Sequence, residues 1–205
     1  ATYTFTDLKP SVLYLFYVSD NVSGDYVGYQ NNIFTQPAVL NASVASTNVN
    51  CNGGSTGTIT ISSPTGGSGV YEYTINGGGA WQSSGSFTGL AAGSYNVQMR
   101  DKNAPTCTKV LNAALSITQL AALNASVAST DITCFGKANG TITISAPTGG
   151  SGSYQYSRNG GTSWQASGSF TALAPGTYNV VMRDATYPTC TKTLNAALVI
   201  SQPAQ

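Results

Sequence analysis

Gly57-Thr58-Ile59-Thr60-Ile61-Ser62 recurs unchanged as Gly140-Thr141-Ile142-Thr143-Ile144-Ser145. Polar and apolar residues alternate through it, which places Ile59 and Ile61, and again Ile142 and Ile144, on the buried face of a β-strand. Pro64-Thr65-Gly66-Gly67-Ser68-Gly69 follows as a loop. Tyr71-Glu72-Tyr73-Thr74-Ile75 alternates again, and Asn76-Gly77-Gly78 supplies the residues that tolerate positive φ in a hairpin turn. With Trp81 returning the chain toward the sheet, Tyr95, Val97 and Met99 sharing a face, and a last strand around Ala113 to Thr118, about seven strands are expected per unit. The expected class is all-β, with helix nearly absent.

The unit repeats. Residues 41–123, beginning Asn41-Ala42-Ser43-Val44, align without a gap to 124–205, beginning Asn124-Ala125-Ser126-Val127. The offset is 83 residues for both cysteines and for the tryptophan (134 − 51, 190 − 107 and 164 − 81). About two-thirds of the aligned positions are identical, the mark of a tandem array. A unit of this size exceeds the usual solenoid periods and closes its own core, so the expected architecture is tandem immunoglobulin-like β-sandwich modules in an elongated array. Residues 1–40 read as the C-terminal part of a diverged preceding repeat: Phe5-Thr6-Asp7-Leu8-Lys9-Pro10 matches Phe170-Thr171-Ala172-Leu173-Ala174-Pro175. Gln36-Pro37-Ala38 likewise matches Gln202-Pro203-Ala204.

Composition narrows function. The 205 residues are 7% charged with a formal net charge of +1, so no basic field exists to hold nucleic acid or an anionic membrane. At 41% hydrophobic and 10% aromatic the chain is too apolar to be a disordered linker. No run approaches the roughly 20 apolar residues of a membrane span, and no signal peptide is legible at the first residues, so the expectation is a processed or excised segment. There is no histidine, and Glu72, the one glutamate, is replaced by Gln155 in the second copy; neither a nucleophilic triad nor a carboxylate pair can be assembled. The sequence reads as that of a non-enzyme. Gly66-Gly67-Ser68-Gly69 and Gly149-Gly150-Ser151-Gly152 lack the Gly-Lys-Ser of a phosphate loop and read as turns.

Four cysteines allow three pairings. Cys51 with Cys107 and Cys134 with Cys190 is the expected set, since identical modules should repeat an identical bond. Each would close a loop of about 55 residues, worth roughly 4 kcal/mol in the chain-entropy picture. Leu90, Gly93 and Tyr95, with Leu173, Gly176 and Tyr178, have the spacing of a tyrosine corner, whose phenol bonds back to upstream backbone. Thr74 to Trp81, and Ser157 to Trp164, resemble an Asp-box hairpin with asparagine in place of aspartate. Trp81 and Trp164 can pack beside that turn or, if exposed, stack on a sugar. Asp20, Asp101 and Asp184 follow strands and offer carboxylates for a structural calcium at a module junction, against a surface pair with Arg100 or Arg183. No other cofactor is implied. Asn21, Asn41, Asn124 and Asn139 begin Asn-x-Ser/Thr sequons.

Taken together, Cys134, Gly140 to Ile144, Gly149 to Gly152, Tyr154-Gln155-Tyr156-Ser157, Trp164-Gln165, Phe170, Leu173, Pro175-Gly176-Thr177-Tyr178, Arg183-Asp184 and Cys190 resemble the SprB repeat. Pro175 becomes Ala92 and Pro203 becomes Leu120 in the first copy. The resemblance implies immunoglobulin-like modules in large adhesins of gliding and biofilm-forming Bacteroidota, exported to the outer surface by type IX secretion. Their C-terminal sorting domain is not in the chain, so on that resemblance the segment is internal.

Three functional expectations follow. The leading one is a stalk that projects a binding tip and bears load, its partners being neighbouring repeats of the same chain. The others are a polysaccharide-binding module using Trp81 and Trp164, and a subunit of a self-assembling extracellular fibre in which the incomplete first copy takes a strand from another chain. No nucleic-acid partner is expected.

Overall fold

The computed structural model describes residues 6, 8–9, 13–19, 26–33 and 36–205. Every regular element in them is a strand. β1 (Leu13–Ser19) and β2 (Tyr26–Ile33) form an antiparallel pair. The proposed match of Phe5 to Pro10, and Asp20, lie wholly or largely outside the described residues.

The first full repeat contains β3 (Asn41–Thr47), β4 (Gly57–Thr65), β5 (Tyr71–Thr74), β6 (Ser86–Leu90), β7 (Gly93–Asp101) and β8 (Thr108–Ile117). The second contains β9 (Asn124–Thr130), β10 (Gly140–Thr148), β11 (Tyr154–Ser157), β12 (Ser169–Leu173), β13 (Gly176–Asp184) and β14 (Thr191–Ile200). Each repeat is two three-stranded antiparallel sheets, ordered β3-β4-β6 and β5-β7-β8 in the first and β9-β10-β12 and β11-β13-β14 in the second. The seven expected strands per unit are six, and the final one begins earlier than Ala113. The missing strand is reduced to one residue: Gln82, just after Trp81, bridges Tyr73 through Tyr73 N–H to Gln82 O at 2.7 Å and the reverse bond at 3.0 Å.

The sheets face each other across a core that the alternation dictates. Ile59 and Ile61 from one sheet meet Tyr73, Val97, Met99 and Ile117 from the other; all are buried. Ile142 and Ile144 meet Tyr156, Val180, Met182 and Ile200 in the same way. Each repeat is thus an immunoglobulin-like β-sandwich, the two linked in tandem. Leu40 and Leu123, the last residues before β3 and β9, are buried in the sandwich that follows them, so each linker ends as part of the next core.

Strand directions define two ends of each sandwich. β3 starts at the upstream end beside the incoming linker. The parallel bridge of Val49 with Gln119 shows that β3 and β8 both run downstream. β4 and β7, antiparallel to them, run back upstream.

Candidate functional site at the module junction

Cys51 sits at the downstream end of the first sandwich. Beyond β3, Val49 N–H donates to Thr118 O at 2.9 Å, and the chain turns tightly, Gly54 N–H meeting Cys51 O at 3.1 Å. Gly53, at φ +72°, supplies the left-handed residue this turn requires. The turn is clasped to the outgoing linker by Gly53 N–H to Gln119 Oε1 at 2.7 Å and Asn52 Nδ2 to Leu120 O at 3.2 Å.

The linker then docks on the second sandwich. Gly150 N–H donates to Ala121 O at 2.9 Å. Gly149 lies at φ +79° with the Ala122 carbonyl where a Cβ would stand, so the glycine loop that the sequence marked as a turn also admits the linker. Asp184, at the end of β13 and 0% exposed, ties this loop to the next. It accepts from Ser151 N–H at 2.5 Å, Ser151 Oγ at 2.7 Å, Thr186 N–H at 2.8 Å and Tyr187 N–H at 3.1 Å. Burial pushes its carboxyl up, and these bonds outweigh that and hold it below the usual carboxylate range. Cys190 closes the same loop, its N–H on Tyr187 O at 2.8 Å and its carbonyl accepting from Asp184 N–H at 3.0 Å.

Cys51 and Cys190 meet there and form a disulfide, Cα to Cα 5.4 Å, across 139 residues of sequence. Cys107 and Cys134 are free and exposed. The expected pairing within each repeat is therefore corrected. Cys107 follows β7 at the upstream end, where Asp101 N–H donates to its carbonyl at 3.1 Å, while Cys51 lies at the downstream end. The length of β7, about 26 Å, separates the two ends, and a disulfide needs Cα atoms within roughly 7 Å. Linking sandwiches head to tail brings the downstream cysteine of one beside the upstream cysteine of the next.

The other singled-out residues make separate local structures. Tyr95 Oη donates to Ala91 O and Tyr178 Oη to Ala174 O, each at 2.8 Å, where Leu90, Gly93, Leu173 and Gly176 frame the bend between strands. Asn76 Oδ1 accepts from Gly79 N–H at 2.9 Å and Ala80 N–H at 3.2 Å, closing the tryptophan hairpin from within. Trp81 and Trp164 are half-buried, with the Arg100 and Arg183 guanidiniums 4.5 and 4.3 Å from the ring centroids. Those arginines do not pair with the aspartates beside them. Arg100 Nη2 lies 2.6 Å from Glu72, and Arg183 makes the same two-nitrogen contact to Gln155 Oε1 at 2.9 and 2.7 Å. Asp101 accepts instead from Ser68 N–H at 2.5 Å, Ser68 Oγ at 2.6 Å and Asn103 N–H at 2.8 Å, which hold its carboxyl low. Sequence reasoning missed this carboxylate clamp; the recurring Gly-Gly-Ser-Gly and Asp were its only signal.

Among the described residues no group of three or more His, Cys, Asp or Glu side chains gathers as a metal site, and no helix is long and apolar enough to cross a membrane. Two tandem β-sandwiches joined by a covalent junction define a structural repeat protein. The SprB repeat family model matches residues 43–80 and again 126–163, and the chain carries that repeat at both places. Each match includes the downstream cysteine, Cys51 or Cys134. No curated protein matches the chain. Among solved structures, the three N-terminal domains of the bacteriophage RB49 Highly Immunogenic Outer Capsid protein (Hoc) are similar at 14% identity and a TM-score of 0.39. That likeness covers 79% of this chain and 59% of that one.

Proposed function

We propose that the chain is a load-bearing stalk segment of a large, extracellular cell-surface adhesin, and that its work is mechanical rather than catalytic. The observation that carries this is the Cys51–Cys190 bond, which crosses the module junction instead of closing one module. A disulfide inside a sandwich stiffens that sandwich alone. One between sandwiches, added to a linker hydrogen-bonded on both sides, opposes hinging and passes tension from one module to the next. SprB repeats belong to cell-surface proteins, and an extracellular setting is where such a bond persists. Export by type IX secretion to a Bacteroidota surface, with a role in gliding or biofilm, is the finer setting this proposal favours.

Negative-stain electron microscopy of the purified chain, its free thiols blocked by alkylation, tests it. A stalk segment gives straight particles of one length at every concentration. Particles bent through many angles at the junction would rule out a load-bearing stalk. Filaments that lengthen with concentration despite the blocked thiols would favour the fibre subunit.

A further inference from the structure

The two tryptophan hairpins border clefts that differ in size and charge. In the first repeat the cleft is about 120 Å³, with Ile75, Ala80 and Trp81 in its wall. The equivalent cleft of the second repeat is about 290 Å³ and has Arg158, Ser163 and Trp164 at those positions. That is near the lower end of small-molecule sites, about 300 Å³, and leaves room for about one sugar residue. Arg158 is exposed, its guanidinium carbon 6.0 Å from the Phe170 ring centroid, and it makes no hydrogen bond or ion pair among the described residues. No acidic side chain lines the cleft: the acids of the second repeat, Asp131 and Asp184, accept from Ser201 and Ser151 instead. A second charge differs in the same sense. Arg100, over Trp81, is paired with Glu72, whereas Arg183, over Trp164, meets the neutral Gln155. The Trp164 hairpin therefore carries two guanidiniums with no carboxylate, and the Trp81 hairpin one that is neutralised. Polar groups with spare capacity complete the wall. Gln165 Nε2 donates to Ser167 O at 2.7 Å and Ser169 O at 2.9 Å, which leaves its Oε1 to accept. Ser163 Oγ accepts from Asn159 Nδ2 at 3.0 Å and keeps its own proton to donate, and the Ser169 and Thr171 hydroxyls make no hydrogen bond among the described residues.

We propose that this cleft of the second repeat binds an acidic saccharide, a sugar residue that bears a carboxylate. The carboxylate pairs with the Arg158 guanidinium, whose planar fork matches it and whose charge nothing else in the cleft offsets. The sugar ring lies against the part of the half-buried Trp164 ring that borders the cleft, and its hydroxyls meet Gln165 Oε1 and the hydroxyls of Ser163, Ser169 and Thr171. Arg183 lies outside the cleft wall and adds to the positive field there. A bare anion would use the guanidinium alone. An indole, an amide and three hydroxyls in one small cleft match a ligand that is apolar on its ring faces and hydroxylated at its rim. The first repeat has the same indole without the free charge, so the two tryptophans, alike in sequence, are not alike as sites. The inference does not rest on the stalk proposal: it adds a binding site to one repeat, and the rigidity of the junction neither requires nor excludes it.

The test titrates the full, disulfide-bonded chain, labelled with nitrogen-15, with trigalacturonate and follows the two indole N–H signals by nuclear magnetic resonance, assigned through Trp81→Phe and Trp164→Phe. The Trp164 signal should shift and saturate with a dissociation constant of about 1–10 mM, while the Trp81 signal stays in place. Arg158→Ile and Gln155→Glu each install the residue that the first repeat carries at that position, so both suit the fold. The first should weaken binding roughly tenfold and the second roughly threefold. The methyl ester of the same trisaccharide, which keeps the sugar and removes the charge, should bind roughly tenfold more weakly than the acid. No shift at about 10 mM, an equal shift at Trp81, equal binding of the methyl ester, or affinity unchanged by both substitutions would overturn the proposal. Tri-aspartate or inorganic sulfate binding as tightly as trigalacturonate would also overturn it, by showing a site for any anion.

Discussion

Pulling the chain by its two ends while the Cys51–Cys190 bond is intact should leave most of it inextensible. The bond joins residues 139 apart in sequence with Cα atoms 5.4 Å apart, so tension crosses the junction through sulfur and bypasses what lies between. Only the segments before Cys51 and after Cys190 can extend. At roughly 3.5 Å per residue the shielded stretch amounts to about 480 Å of contour, of which the bond spans about one-hundredth. Under a constant force, with Cys107 and Cys134 alkylated, adding a thiol reductant should release that length in one event. Before reduction, the second repeat's core should give no full unfolding step. Bonds within each repeat would instead give two releases of roughly 190 Å each. That pattern, or extension of the whole chain before reductant is added, would refute a load path through the junction.

Three further outcomes follow from the packing. Ile142→Ala empties a fully buried site between the sheets and should cost about 2–5 kcal/mol in denaturant unfolding of the second repeat. Tyr178→Phe removes only the bond to Ala174 O and should cost about 0.5–1.5 kcal/mol in the same assay. Asp101 and Asp184 have carboxyls held below their ordinary value, so their stabilising effect is complete above about pH 4 and is lost as pH falls through the folded-state value. Thermal melts between pH 2 and 6 should show that acid limb, and Asp184→Asn should flatten it for the second repeat.

The sandwich was legible because its cause is local. Ile59 and Ile61 alternate with threonines, the glycine loops mark the turns, and Tyr95 and Tyr178 sit at the spacing of a corner; none of these needs long-range information. The cysteine pairing was not legible because it depends on which end of the sandwich each cysteine reaches. Counting a reversal at each of the long strands would put Cys51 and Cys107 at the same end. In fact β5 and β6 run in the same direction, since each is antiparallel to an upstream-running strand, β7 and β4 respectively. The return between them is the single bridge at Gln82, too short to show any alternation. That return leaves β7 running upstream and puts Cys107 at the upstream end, whereas the expected pairing rested on the identity of the modules and did not follow strand direction. The buried aspartates were misjudged for a similar reason: Arg100 and Arg183 adjoin Asp101 and Asp184 in sequence. On a strand, neighbours point to opposite faces, so the arginines reach across to Glu72 and Gln155 while the aspartates turn inward to Ser68 and Ser151.

A covalent bond between the repeats is tested most directly by tryptic mapping of the alkylated, non-reduced chain. Cleavage after lysine and arginine places the four cysteines in four separate peptides, 1–100, 103–109, 110–137 and 184–192. The expected result is one cross-linked pair, 1–100 with 184–192, with Cys107 and Cys134 alkylated. Cross-links of 1–100 with 103–109 and of 110–137 with 184–192, with no alkylated cysteine, would contradict it and return the bonds to the interior of each repeat.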